Sequence, residues 1–324
     1  MPDDSCNVSN KNGFGFDPSY GYSLPQLLAV GTAKTPKDFL EFWQQRYHQA
    51  LRVAPLPKVQ FLNTDKSGWQ VFGIRYTSTD HRLIRCWLLL PKYGVVTRGF
   101  VVGHGYGGRN APDFHLPFHD SALLFPCFRG LGLSNEPDIS ADPFWHVRHH
   151  IEDADKYVLA GCVEDVWLAV STLLNLFPYL SGRLGYLGIS FGGGIGALAL
   201  AVEKRIARAH FNVPTFGNQP LRLRLPSQGS VHSVQQYYCG NKKQTLKVLR
   251  YYDAASAARF IDIPVHCACA LYDPCVAPPG QFAIFNALPR EKQLFVLEAG
   301  HYSYPNQARQ QQQLIDELDV FFRL

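Results

Sequence analysis

Gly188-Ile189-Ser190-Phe191-Gly192 sets a serine between two glycines. The apolar run Leu184–Ile189 precedes it, and the small-residue run from Gly192 to Ala197 follows. This is the pattern of a sharp turn from strand into helix, which holds a serine hydroxyl exposed as a nucleophile. The flanking glycines let neighbouring backbone approach without a clashing side chain. A structural glycine turn would satisfy the bare pentapeptide. The strand before it and the helix after it carry the nucleophile reading.

A serine hydroxyl needs a base to take its proton, and the base needs an acid to orient it. When the serine sits on such a turn, the chain order is Ser, then acid, then His. The catalytic groups gather at the carboxyl ends of parallel strands. Asp273 follows the strand-like run Val265–Tyr272 directly, whereas Asp262 lies at that strand's start and Asp253 in a helical stretch. Asp273 is therefore the expected acid. His301 follows the strand-like run Leu294–Leu297 and is the only histidine after Asp273, so it is the expected base. Acyl transfer also needs two backbone N–H groups aimed at the developing oxyanion. Phe191, next to the nucleophile, supplies one. Tyr106, in the loop His104-Gly105-Tyr106-Gly107-Gly108, is expected to supply the other. His104 reads as a structural loop residue.

Other clusters read more blandly. His146, His149 and His150 have no acidic partners at ligand spacing, so a solvated face is expected and no metal. Lys242, Lys243, Lys247 and Arg250 suit the solvated face of one helix. No nucleic-acid motif accompanies them. The eight cysteines include no CxxC pair, and Cys86, Cys127, Cys267 and Cys269 sit in apolar runs. They read as buried thiols, which favours a reducing compartment.

The elements that must position these groups follow from periodicity. Thr35 reads as the N-cap of a helix with Pro36 at its first position, ending near Leu51. Trp69–Tyr76 and Leu83–Leu90 read as an antiparallel hairpin, and Phe100–Gly103 and Ala122–Phe128 as further strands. A helix is expected over Asp153–Leu176. Strands and helices then alternate: Leu184–Ile189, Gly192–Val202, Ile206–Phe211, Val265–Tyr272, Pro279–Leu288, Leu294–Leu297 and Gln307–Phe322. Such alternation means parallel strands joined by crossovers. The expected fold is an α/β-hydrolase, a mostly parallel central sheet flanked by helices, with an N-terminal helical extension. Residues 1–34 read as an irregular arm and 35–324 as one domain. Residues 214–240 break the rhythm and read as an insertion beside the site, either a lid or a surface loop.

The chain has 324 residues, 46% hydrophobic and 18% charged, with a net charge of +5. That is ample material for a large core, and it excludes a disordered protein. The polar first residues show no signal-peptide pattern, and no uninterrupted apolar run reaches the length of a membrane span. No membrane partner is expected.

With these residues placed, the chain resembles the acetyl xylan esterase and cephalosporin C deacetylase family of carbohydrate esterases, from about Pro36 to the C-terminus. The residues from Pro36 to Trp43 look like the family's N-terminal helix. His104-Gly105-Tyr106 is similar to its oxyanion loop, and Arg129-Gly130-Leu131-Gly132 to its Arg-Gly-Gln-Gly segment. Gly161-Cys162-Val163-Glu164-Asp165 resembles the start of its long helix. Gly188-Ile189-Ser190-Phe191-Gly192-Gly193 resembles its elbow. Leu271-Tyr272-Asp273, with Cys275, Pro278 and Pro279, resembles its acid loop. Leu131, Phe191 and Tyr302 depart from the motif residues Gln, Gln and Glu. The resemblance implies cytoplasmic, homo-oligomeric deacetylation of small acetylated carbohydrates such as xylo-oligosaccharides, without cofactor or metal. Tyr106 and Phe191 would then place aromatic bulk beside the acyl carbonyl and favour acetyl over longer chains. The alternatives are a thioesterase, amidase or peptidase on the same scaffold, or a non-catalytic binding protein.

Overall fold

The structure, a computed structural model, describes residues 13–66, 68–289 and 291–323. Its framework is a nine-stranded sheet: β1 (Lys58–Lys66), β2 (Trp69–Thr77), β3 (Leu83–Pro91), β4 (Arg98–Gly103), β5 (Ser121–Pro126), β6 (Leu184–Ile189), β7 (Ile206–Asn212), β8 (Val265–Tyr272) and β9 (Lys292–Ala299). The order across the sheet is β1-β2-β3-β5-β4-β6-β7-β8-β9. β1, β2 and β3 pair antiparallel with one another, and β3 pairs antiparallel with β5. From β5 to β9 every pairing is parallel. The expected hairpin is therefore β2–β3. β1 was not expected. It is an edge strand with register shifts, and Val59, Phe61 and Leu62 stand about half exposed on it, so it shows no inside-outside alternation.

The central strands are apolar on both faces because helices cover both. The helix Val158–Leu176 is buried from its start through Val170. It is long and apolar enough, by length and composition, to cross a membrane, but here it is packed in the core. Trp167 on this helix meets Trp43 and Tyr47 of the helix Phe39–Ala50 edge-on, at centroid distances of 6.2 and 5.1 Å. Burying each such aromatic side chain contributes about 2–3 kcal/mol.

The helix expected from Thr35 begins instead at Phe39, with Asp38 at the N-cap. Pro36 closes a turn onto the Phe39 N–H, and the Thr35 hydroxyl donates to Ser256 Oγ rather than capping. The segment before it is less irregular than expected. It forms a short helix, Leu24–Leu28, whose Leu27 lies in the core. The Asn286 amide donates to Leu27 O and Val30 O, each at 2.9 Å. Residues 1–12 of the expected arm lie outside the described residues. Residues 214–240 contain two helices, Gln219–Arg222 and Val231–Gly240. Lys242, Lys243, Lys247 and Arg250 are exposed on and just after the helix Lys242–Leu249, as expected for a solvated face.

Candidate active site

Strand register brings the four candidate loops to one edge. Gly103 at the end of β4 pairs with Gly188 on β6, Ile189 pairs with Asn212, and Tyr272 on β8 pairs with Ala299 on β9. The loops that follow these strands carry Tyr106, Ser190, Asp273 and His301, at the carboxyl ends where α/β sheets place their ligands.

Ser190 has φ 52° and ψ −107°, a strained conformation for a residue with a Cβ. Its N–H donates to Asn212 O at 2.8 Å, and its carbonyl accepts from Thr215 and Gly194 N–H, each at 3.1 Å. The turn is tight enough that a Cβ on Gly188 would lie 2.4 Å from Gly192 O. The helix Phe191–Leu200 starts here, so its positive end faces the hydroxyl.

The hydroxyl Oγ of Ser190 lies 2.9 Å from His301 Nε2, and His301 Nδ1 lies 2.7 Å from Asp273 Oδ2. Asp273 is wholly buried. Its Oδ1 accepts the N–H groups of Cys275 and Val276, each at 2.9 Å, and its Oδ2 also accepts from Gln281 Nε2 at 2.9 Å. His301 has φ 59°. Gly300 precedes it because a Cβ there would sit 2.4 Å from Asp273 Oδ2. With the imidazole Nδ1–H bound to a carboxylate, Nε2 is free to accept the serine proton.

The oxyanion candidates stand together. The first turn of a helix leaves the Phe191 N–H without an intrahelical acceptor. Among the described residues neither this N–H nor that of Tyr106 donates to a protein group. His104 ties their loops together. Its carbonyl accepts from Gly192 N–H at 2.9 Å, its Nε2 accepts from Phe128 N–H at 3.1 Å, and its Nδ1–H donates to Gly105 O at 2.6 Å. Burial pushes this imidazole down to about 3, so it stays neutral.

Two expectations need correction. His146 is not on a solvated face; it is fully buried. Its Nδ1 accepts from the Tyr106 hydroxyl and its Nε2–H donates to Arg129 O, both at 3.0 Å, so both ring nitrogens are occupied. Only His149 and His150 reach solvent. Phe191 does not line an acyl pocket either. Its side chain is fully buried, stacked on Tyr106 at 4.1 Å and edge-on to Phe128 and Phe216. As the first residue of a helix that enters the core, it offers only its N–H to the site. Leu131 is buried as well, while Tyr302 meets Phe14 edge-on at 5.1 Å.

Behind the loop that carries Tyr106 lies a buried ion pair. Arg129 Nη2 donates to Asp165 Oδ1 at 2.7 Å and also reaches Ser78 and Thr79, while Nη1 reaches Asp80. The Asp165 carboxylate holds the guanidinium firmly charged in spite of its burial. The Arg129 N–H also donates to Asp165 Oδ2, so the backbone that anchors His146 is itself fixed.

The family model for acetyl xylan esterase (AXE1) matches residues 24–316. The chain belongs to the acetyl xylan esterase family. Solved structures share the fold. An acetyl xylan esterase from Paenibacillus sp. R4 superposes with a TM-score of 0.80 at 19% identity, over 91% of this chain and 99% of that one. Acetyl xylan esterase 1 from Thermoanaerobacterium sp. JW/SL YS485 gives 0.76 at 20%, over 94% and 99%. An acylaminoacyl peptidase from Pyrococcus horikoshii gives 0.61 at 14%, over 80% of this chain but 44% of that one. The two acetyl xylan esterases thus match over nearly their whole length, whereas the peptidase carries more than half its length outside the match.

Sequence reasoning missed three residues at or beside the site. Gln281 was read only as part of a helix. The N-terminal segment was read as an arm, yet Pro18 O accepts the Asp273 N–H at 2.9 Å, and the Tyr20 hydroxyl donates to Pro226 O at 2.8 Å. No local signal marks either contact, since both join parts of the chain that only the fold brings together.

Proposed function

We propose that this member of the acetyl xylan esterase family hydrolyses acetyl esters of carbohydrates, such as acetylated xylo-oligosaccharides, through an acyl-enzyme on Ser190. The observation that carries the reading is the unbroken hydrogen-bond chain Ser190–His301–Asp273. Ser190 Oγ attacks the ester carbonyl while His301 Nε2 takes its proton. Asp273 Oδ2 holds the imidazole in the productive tautomer and stabilises the imidazolium. The N–H groups of Phe191 and Tyr106 receive the oxyanion. His301 then returns the proton to the departing sugar oxygen. Water, deprotonated by the same base, attacks the acetyl-serine and releases acetate, and the proton passes back to Ser190.

Among the described residues, seven free cysteines, five of them buried, support a reducing compartment and hence a cytoplasmic location for this activity. The edge strand β1, with Val59, Phe61 and Leu62 half exposed, supports assembly of the chain with copies of itself.

The test is acetate release from acetylated xylo-oligosaccharides, with 4-nitrophenyl acetate, a thioester and an anilide in parallel. Wild type should favour the acetyl esters. Ser190→Ala should lose about 10⁴-fold or more in kcat while keeping its fold. A purified Ser190→Ala protein with a tenth of wild-type activity would sink the assignment.

A further inference from the structure

We propose that Gln281 is a positioning residue for the reaction, holding the Asp273 carboxylate in the orientation that serves His301. The inference rests on the roles proposed above for Ser190, Asp273 and His301. Gln281 lies in the first turn of the helix Pro278–Ala287 and is wholly buried. Both ends of its amide are engaged. Oε1 accepts the Ala270 N–H at 2.8 Å, and Nε2 donates to Asp273 Oδ2 at 2.9 Å and to Val276 O at 2.6 Å. These partners fix which end is which. A flipped amide would set its NH₂ against the Ala270 N–H and its oxygen against the Asp273 carboxylate.

The consequence falls on the acid. An ionised carboxylate has about four acceptor positions. On Asp273, Oδ1 takes the two loop N–H groups of Cys275 and Val276. Oδ2 takes the Gln281 amide and His301 Nδ1. Every position is filled, so the carboxylate has no alternative rotation with equal bonding. On Oδ2 the Gln281 amide is the one donor that is not the imidazole itself. Without it, the oxygen that must orient His301 is held from the His301 side alone. The same amide joins Ala270 on β8 to Val276 in the loop, bracing the strand end where Asp273 turns outward. Hydrogen bonds to a charged acceptor are roughly twice as strong as neutral ones, which makes this donor consequential.

The test compares full-length wild type, Ser190→Ala, Gln281→Met and Gln281→Glu on 4-nitrophenyl acetate across pH, with thermal melts of each. Gln281→Met should lower kcat by about 10- to 100-fold at nearly unchanged KM. Gln281→Glu is close to isosteric, and its carboxyl can donate to Asp273 Oδ2 only while protonated. Once ionised it opposes a second carboxylate. Its kcat relative to wild type should therefore recover toward acid pH and fall as pH rises. A merely structural role would lower the melting temperature without reshaping the pH profile of kcat. If Gln281→Met fails to fold, the Gln281→Glu profile decides alone. A Gln281→Glu kcat within twofold of wild type at every pH overturns the role of Gln281. A wild type no faster than Ser190→Ala overturns the triad roles themselves, and this inference with them.

Discussion

His146 lies between the Tyr106 hydroxyl and Arg129 O with no access to solvent, and burial pushes it down from 6.5 to about 4. His104 behaves likewise, pushed down to about 3. In the unfolded chain both should bind a proton below about 6.5. The folded chain refuses that proton until pH falls to about 4 or 3. Between those values the unfolded state holds more protons, so stability falls as pH falls. pH 5 lies about 1.5 pH units below the unfolded value of each histidine, and each pH unit is worth about 1.4 kcal/mol. The loss is then about 2 kcal/mol per histidine and about 4 for the two, a large share of the ~5–15 kcal/mol that holds a typical domain folded. The assay is urea unfolding at pH 7.5 and pH 5.0, for wild type and for His146→Gln. The glutamine variant removes one titrating group and leaves the carboxylates in place, so their contribution cancels in the comparison. Its stability should drop by about 2 kcal/mol less than that of wild type over this interval, whatever its starting value. Equal drops in the two proteins, within about 0.5 kcal/mol, would show that His146 is not the buried neutral group described here.

Gly188→Ala should cost about 100-fold or more in kcat/KM on 4-nitrophenyl acetate, because its Cβ would lie 2.4 Å from Gly192 O and the backbone around Ser190 must move. Activity within threefold of wild type would contradict the close approach. Arg129→Met should destabilise the protein by about 3–5 kcal/mol in urea, because it leaves the fully buried Asp165 carboxylate without its cation. A loss below about 1 kcal/mol would mean that Asp165 is neutral or solvated.

The sequence made the order of the site readable because that order depends on local signals. A glycine-flanked serine after an apolar run, an Asp at a strand end and a late His after another strand can each be recognised within a few residues. The hairpin β2–β3 and the long helix were readable for the same reason, although the helix begins at Val158 rather than at Asp153. What failed was whatever depends on distant partners. His146 sits among Arg148, His149 and His150, so its neighbourhood looks solvated, and its burial is decided by Tyr106 and Arg129. Phe191 looked like a wall of the acyl site because it adjoins the nucleophile. The direction of its side chain is set instead by Phe128 and Phe216, against which it packs. β1 escaped notice because an edge strand with shifted register need not alternate. Gln281 looked like any glutamine in a helix until Asp273 was brought beside it.

The contact between the N-terminal segment and the acid loop bears on when activity can arise. Pro18 accepts the Asp273 N–H, and the Tyr20 hydroxyl also reaches the Asp273 carbonyl, across 253 residues of chain. A segment made well before it along the chain is thus needed to finish this loop. Closing so long a loop adds little free-energy cost over a shorter one, since each doubling of length adds only about 0.6 kcal/mol. Its effect is on order rather than on stability, because pairings so far apart in sequence form late. A refolding chain should regain its helices and much of its sheet before the acid loop is pinned, so esterase activity should return after the far-ultraviolet circular dichroism signal. A nascent chain still short of His301 can own an exposed Ser190 without being able to use it.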